Sequence, residues 1–283
     1  MAMQPGLQNE RERAQAQALQ QAQLALDNNR PADAERLARE ILRANAGQLQ
    51  ATKILGYALL MQDRAAEAIA PLEKAARTSR DPEAETQLAI ALRHAGDSDK
   101  AQVWLRRAVK RMPPFAAAFH ELGYVLNSLG RSAEAIDVLK QGVAVAPMMP
   151  EMAVQLGFVC AAANDHANAG AAFAHALAIN PVHADALHGF AILLMTRGDF
   201  RQAADLFRRA VSAYPGDALA RVMLGRCLLE LGEADAAAAC LRAASARGPE
   251  VYGKVLQAFV SARRGRFWLR PSQAAKFLKG SDN

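Results

Sequence analysis

Three cysteines, two tryptophans and 6% aromatic residues in a chain of 283 leave little for a disulfide framework or a ring-packed core. Cys160, Cys227 and Cys240 fall at apolar phases of helical patterns and show no C-x-x-C spacing. That excludes a zinc ribbon and argues against covalent staples, so they read as buried free thiols. No run of eighteen apolar residues occurs, so no transmembrane helix is expected. The first residues, MAMQPGLQNERER, have no apolar core after a basic start and do not read as a secretory leader. The expectation is a cytoplasmic protein.

Signatures of chemistry are also missing. There is no P-loop, no G-x-G-x-x-G, no G-x-S-x-G and no H-E-x-x-H; the run His120-Glu121-Leu122-Gly123 stops short of the last. His183 and His188 are five apart, which does not put two imidazoles on one helical face, and no acidic third ligand is in phase. Aspartates and glutamates are scattered over outer helical faces. No catalytic residue, metal or cofactor is expected.

What the chain has is alanine in quantity, 52% hydrophobic residues, and 18 glycines and 12 prolines that recur at fixed phase. Such a composition needs closely packed helices with regular punctuation. The clearest stretch runs from Ala116 to Met149, AAAFHELGYVLNSLGRSAEAIDVLKQGVAVAPMM, with Leu122-Gly123, a turn at Gly130, small Ala135, large Leu139 and Pro147. It is one helix-turn-helix unit with a stop at its end. The pattern recurs over 15–48, 49–81, 82–115, 150–183, 184–217 and 218–249, with in-phase turn glycines at 96, 130, 198 and 232. Asn29, Asp63 and Asn164 stand at the same turn elsewhere, the next best residues for a left-handed helix end. Two antiparallel helices approach closely only if the residue at their crossing is small, hence Gly or Ala in the first helix and Ala in the second. Met1 to Asn9 show neither period nor cap, so 1–14 is set apart as a frayed terminus before the first repeat, with a Gln/Ala-rich helical stretch expected from Glu10.

This periodicity resembles the tetratricopeptide repeat family: a 34-residue unit with W-x2-L-G-x2-Y, then A-x3-F, then P, with Phe119 at the Trp position and Leu126 at the Tyr position. The resemblance covers about five-sixths of the chain. It implies an all-α fold, a right-handed α-solenoid of about seven repeats whose first helices line a concave groove, and a role in holding other polypeptides. One pair of helices cannot bury its apolar stripe alone, so neighbours must stack.

The family's positions two, five, nine and twelve of each first helix face the groove. Transferred to this chain they give, as peptide-binding candidates, Lys53, Tyr57, Leu60, Ile90, His120, Tyr124, Asn127, Val154, Phe158, His188, Ile192, Met195 and Arg226. Position nine reads Tyr57, Ile90, Tyr124, Phe158, Ile192, an apolar track where solvated lining would be polar. The alternative is that these side chains pack sideways on the next repeat. Members of the family that hold a chaperone's terminal carboxylate use Lys and Asn at positions five and nine, Asn at position six of the next repeat, and Lys and Arg at two and six of a third. Here only Lys53 matches, and Tyr57, Gln87, Ala117 and Glu121 occupy the other places, so that clamp is disfavoured.

After Pro249 the phase is lost. Residues 251–262 read as a capping helix, and from 250 to the end seven Lys or Arg face two acids, which is +5 of the chain's +6. Arg263, Arg264, Arg266, Phe267, Trp268, Arg270, Lys276 and Phe277 could dock on the last repeat, enter a groove of a second copy, or contact nucleic acid or an anionic surface. Their irregular spacing disfavours the nucleic-acid reading. The expected function is a non-catalytic scaffold binding a peptide or helix of a partner, with an accessory subunit of a separate enzyme as the rival.

Overall fold

The structure, a computed structural model, describes residues 5–246, 253–255 and 257–258, with side chains from Arg13 onward. The chain divides into two compact units, Met1–Val145 and Ala146–Asn283. The first holds α1 (Pro5–Asp27), α2 (Pro31–Ala44), α3 (Leu49–Leu60), α4 (Ala65–Ser79), α5 (Pro82–His94), α6 (Ser98–Ala108), α7 (Ala116–Ser128) and α8 (Ser132–Val145). The second holds α9 (Pro150–Ala162), α10 (His166–Ile179), α11 (Ala184–Thr196), α12 (Phe200–Ala213), α13 (Ala218–Glu230) and α14 (Ala234–Ser245). Among the described residues there is no strand. Of the expected capping helix, 253–255 and 257–258 are helical, and the rest lies outside the described residues. So do Arg263, Arg264, Arg266, Phe267, Trp268, Arg270, Lys276 and Phe277.

Each helix ends where its residues dictate. Gly96, Gly130, Gly198 and Gly232 take positive φ, as do Asn29, Asp63 and Asn164. Arg80 also does, at φ 52, which the sequence did not announce: the repeat 49–81 is a residue short and turns on the residue available. Asp81, Asp97, Asp165 and Asp217 cap the helices that follow, accepting backbone N–H groups of Glu83, Lys100, Asn168 and Ala220 at 2.8–3.2 Å. The N-terminal expectation needs correction, because α1 begins at Pro5, five residues before the helical stretch expected from Glu10 and inside the segment set apart as frayed. Pro5 suits a first helical position, and the Gln, Glu, Arg and Ala that follow are strong helix formers that need no apolar period to continue the helix.

The crossing of each helix pair sets one small residue against one large one. A Cβ at Gly123 would lie 2.5 Å from Leu139 Cδ2, and one at Gly157 would lie 2.6 Å from Phe173 Cε1. Leu72, Leu139, Phe173, Phe207 and Leu241 are fully buried, each stabilising its pair by about 1.5–3 kcal/mol. Within the first unit α1, α3, α5 and α7 pack in succession, and in the second α9 packs on α11. Second helices fill between them, α2 on α3, α4 on α5, α10 on α11, α12 on α13. The molecule is an all-α solenoid whose first helices share one face within each unit.

Candidate functional site: the first-helix face

Position-nine side chains differ in exposure along the chain. Tyr124 on α7 is 50% exposed, Phe158 on α9 46% and Ile192 on α11 45%. Half exposure does not keep them off the next repeat in every case: a Cβ at Gly189 of α11 would lie 3.1 Å from Phe158 Cε1, so that ring also leans on the following first helix. Tyr57 and Ile90 are half-buried. Tyr57 packs against the core of Ala22, Ala25, Leu26 and Ile54. Phe158 is steadied by an edge contact on Phe173, with ring centroids 5.2 Å apart.

Position five behaves differently. Lys53 Nζ donates to Asp81 Oδ2, and His188 Nε2 lies 2.7 Å from Asp217 Oδ2. In both cases the acid is the cap of the next first helix. Position five therefore looks along the seam between repeats, which explains why Val154, expected to line the groove, is only 6% exposed. Thr86 and Val222 at the same position are also buried. Lys53 and His188 are both engaged within the chain. This link was readable in principle, because each precedes a capping Asp by 28 or 29 residues.

A second cluster joins α5 to α7. Arg93 lies over the Tyr124 ring, 4.8 Å from its centroid, and its Nη2 is 3.3 Å from Glu121 Oε2 without the alignment of a hydrogen bond. His120 Nδ1 is 3.8 Å from Glu121 Oε1. Burial pushes the Glu121 carboxyl up, but His120 and the Arg93 charge together outweigh it and hold the group below the usual carboxylate range. Elsewhere, Asn127 is exposed and accepts from Ser132 Oγ at 3.2 Å. Met195 and Arg226 are half-buried, the guanidinium lying 3.8 Å from Met223 Sδ. Burial pushes the neighbouring Cys227 thiol up to about 12, which keeps it protonated and inert.

The first unit also has a cleft of about 420 Å³, its walls including Asp27 of α1, Lys53, Tyr57 and Leu60 of α3, and Glu83 and Gln87 of α5. Position-by-position transfer found Lys53, Tyr57 and Leu60. It missed Asp27, because that residue follows no groove position of a first helix. The Tyr57 hydroxyl has no hydrogen-bond partner among the described residues, and burial, then the charges of Glu83 and Asp81, push its ionisation well above the usual range. It stays a neutral phenol. Among the described residues no group of three His, Cys, Asp or Glu is placed to hold a metal, and no helix is long and apolar enough to cross a membrane.

Family models described as "Tetratricopeptide repeat" match residues 19–85, 86–143, 120–184 and 194–258. No curated protein matches the sequence significantly. Solved structures share the fold at low identity. The C-terminal part of a repeat protein from Cytophaga hutchinsonii superposes with a TM-score of 0.67 at 15% identity, over 83% of this chain and 98% of that one. PilF of Pseudomonas aeruginosa gives 0.64 at 18%, over 74% and 95%. YrrB, a repeat protein with an unusual peptide-binding site, gives 0.52 at 20%, over 65% and 95%. With turn residues, small-to-large crossings and family models agreeing along most of its length, the chain belongs to the tetratricopeptide repeat family.

Proposed function

We propose that this protein is a non-catalytic scaffold that holds a segment of a partner protein on the first-helix faces of its units. Members of the family mediate protein–protein interaction, and YrrB offers a precedent for a peptide site on this fold. The observation that carries the reading is the half-exposure of Tyr124, Phe158 and Ile192 on helices whose other large apolar residues are buried or half-buried. An apolar floor between polar rims is the form a groove takes when an extended or helical segment fills it. In the first unit Tyr124 anchors, with Ile90 and Leu60 on the same set of helices; in the second Phe158 and Ile192 do so.

The test is affinity capture from native lysate with wild-type protein beside Tyr124→Ala/Ile192→Ala. Both side chains are half exposed, so helicity and melting temperature should stay within a few degrees of wild type. Partner recovery should fall about tenfold or more, as for the loss of interface anchors. Equal recovery by both proteins refutes the proposal.

A further inference from the structure

The cleft in the first unit allows the chemistry of the bound segment to be named, and this step rests on the groove reading above. The one cation of its wall, Lys53, is neutralised by Asp81. Asp27 and Glu83, both exposed, remain without an ion-pair partner among the described residues. Glu83 sits in the first turn of α5, where the helix dipole favours an acid. Asp27 is the last residue of α1, where the dipole opposes one, so helix stability does not account for its place. Its Oδ1 accepts from Gln23 Nε2 at 3.0 Å. The same wall includes Tyr57, whose buried hydroxyl has no hydrogen-bond partner among the described residues, and Gln87. Leu60 and Met61 supply an apolar margin. A guanidinium or ammonium would meet acceptors on several sides, while a carboxylate would meet two like charges.

We infer that this cleft receives a lysine or arginine side chain, so that the segment held on the first-helix face of the first unit is basic with apolar flanks. The inference is tested by selecting a random dodecapeptide display library against the full chain. Selected peptides should carry Lys or Arg beside Leu, Ile or Phe. The strongest should bind Asp27→Asn/Glu83→Gln about tenfold more weakly than wild type. Replacing its key arginine by neutral citrulline should weaken wild-type binding about as much and leave binding to the double variant unchanged. Gln87→Lys, which adds a cation to the wall, should also weaken the basic peptide. Enrichment of neutral or acidic peptides overturns the inference, as does a basic peptide that binds wild type and double variant alike. A peptide sensitive to Tyr124→Ala but not to the loss of the two acids removes the cleft and leaves the groove reading standing. One insensitive to Tyr124→Ala, or a selection that enriches nothing, removes both.

Discussion

Gly123 and Gly130 lie seven residues apart, and they do opposite jobs. At Gly123 the backbone takes no unusual shape, but an added Cβ would sit 2.5 Å from Leu139 Cδ2 and 2.6 Å from its Cγ. Leu139 is fully buried and cannot retreat without disturbing the crossing. At Gly130 there is nothing within 4 Å of a Cβ, but φ is +75°. Gly123→Ala should therefore cost about 1–3 kcal/mol through overpacking, and Gly130→Ala about 1 kcal/mol through left-handed strain alone. Urea midpoints should show both losses. Combined with Leu139→Ala, Gly123→Ala should cost less than the sum of the two single losses, whereas Gly130→Ala should add in full. The family's small-and-large pattern was legible from sequence for this reason: it states a steric exclusion, and steric exclusions depend on residue type. The pairing of Arg93 with Glu121 and Tyr124 was not legible, because it depends on how far successive first helices are offset, which periodicity leaves open.

Between elements, polar links follow the repeat as regularly as the apolar core does. At position five, Lys53 and His188 reach the cap of the next first helix, and Arg64 reaches back to Glu35 at 2.7 Å while holding Glu67. Arg106 and Arg131 do the same around Glu134. The pair with a consequence for pH is Arg93–Glu121, which ties α5 to α7 across side chains that are mostly enclosed. The Glu121 carboxyl is held below its ordinary value of 4.5, so its contribution is complete above that pH and is lost as pH falls through the folded value. Glu121→Gln should thus lower stability by about 1 kcal/mol at pH 7. The difference from wild type should shrink towards zero near pH 3, measured by urea unfolding at both pH values. A difference unchanged between them would mean the carboxylate charge contributes nothing to the link. Position five itself was misread for a physical reason: a helical wheel says which side a residue faces, but not that the next repeat's capping acid arrives there, as it does for Lys53 and His188. The start of α1 at Pro5 escaped for the converse reason, since a helix built on propensity rather than burial carries no apolar period.

At the scale of the whole molecule, a stack of helix pairs offers two kinds of surface, one made of first helices and one of second helices. On first helices, Tyr124 in the first unit and Phe158 and Ile192 in the second are half exposed; on second helices, exposed apolar residues such as Val103 on α6, 57% exposed, are scattered. Exposure alone does not separate Tyr124 from Val103. Their surroundings do, since Arg93 of the neighbouring first helix lies over the Tyr124 ring, whereas the cation–π contact on the helix that carries Val103, Arg107 over Trp104, stays within α6. The fold was readable almost throughout because repetition states the same constraint many times, while a binding face is stated once per unit and in combination. The most direct measurement is site-specific photo-crosslinking of the captured partner, with a photoreactive residue placed at 124, at 192 or at 103. Crosslinks at 124 and 192 with little or none at 103 are the predicted result; equal or stronger crosslinking at 103 would contradict the account.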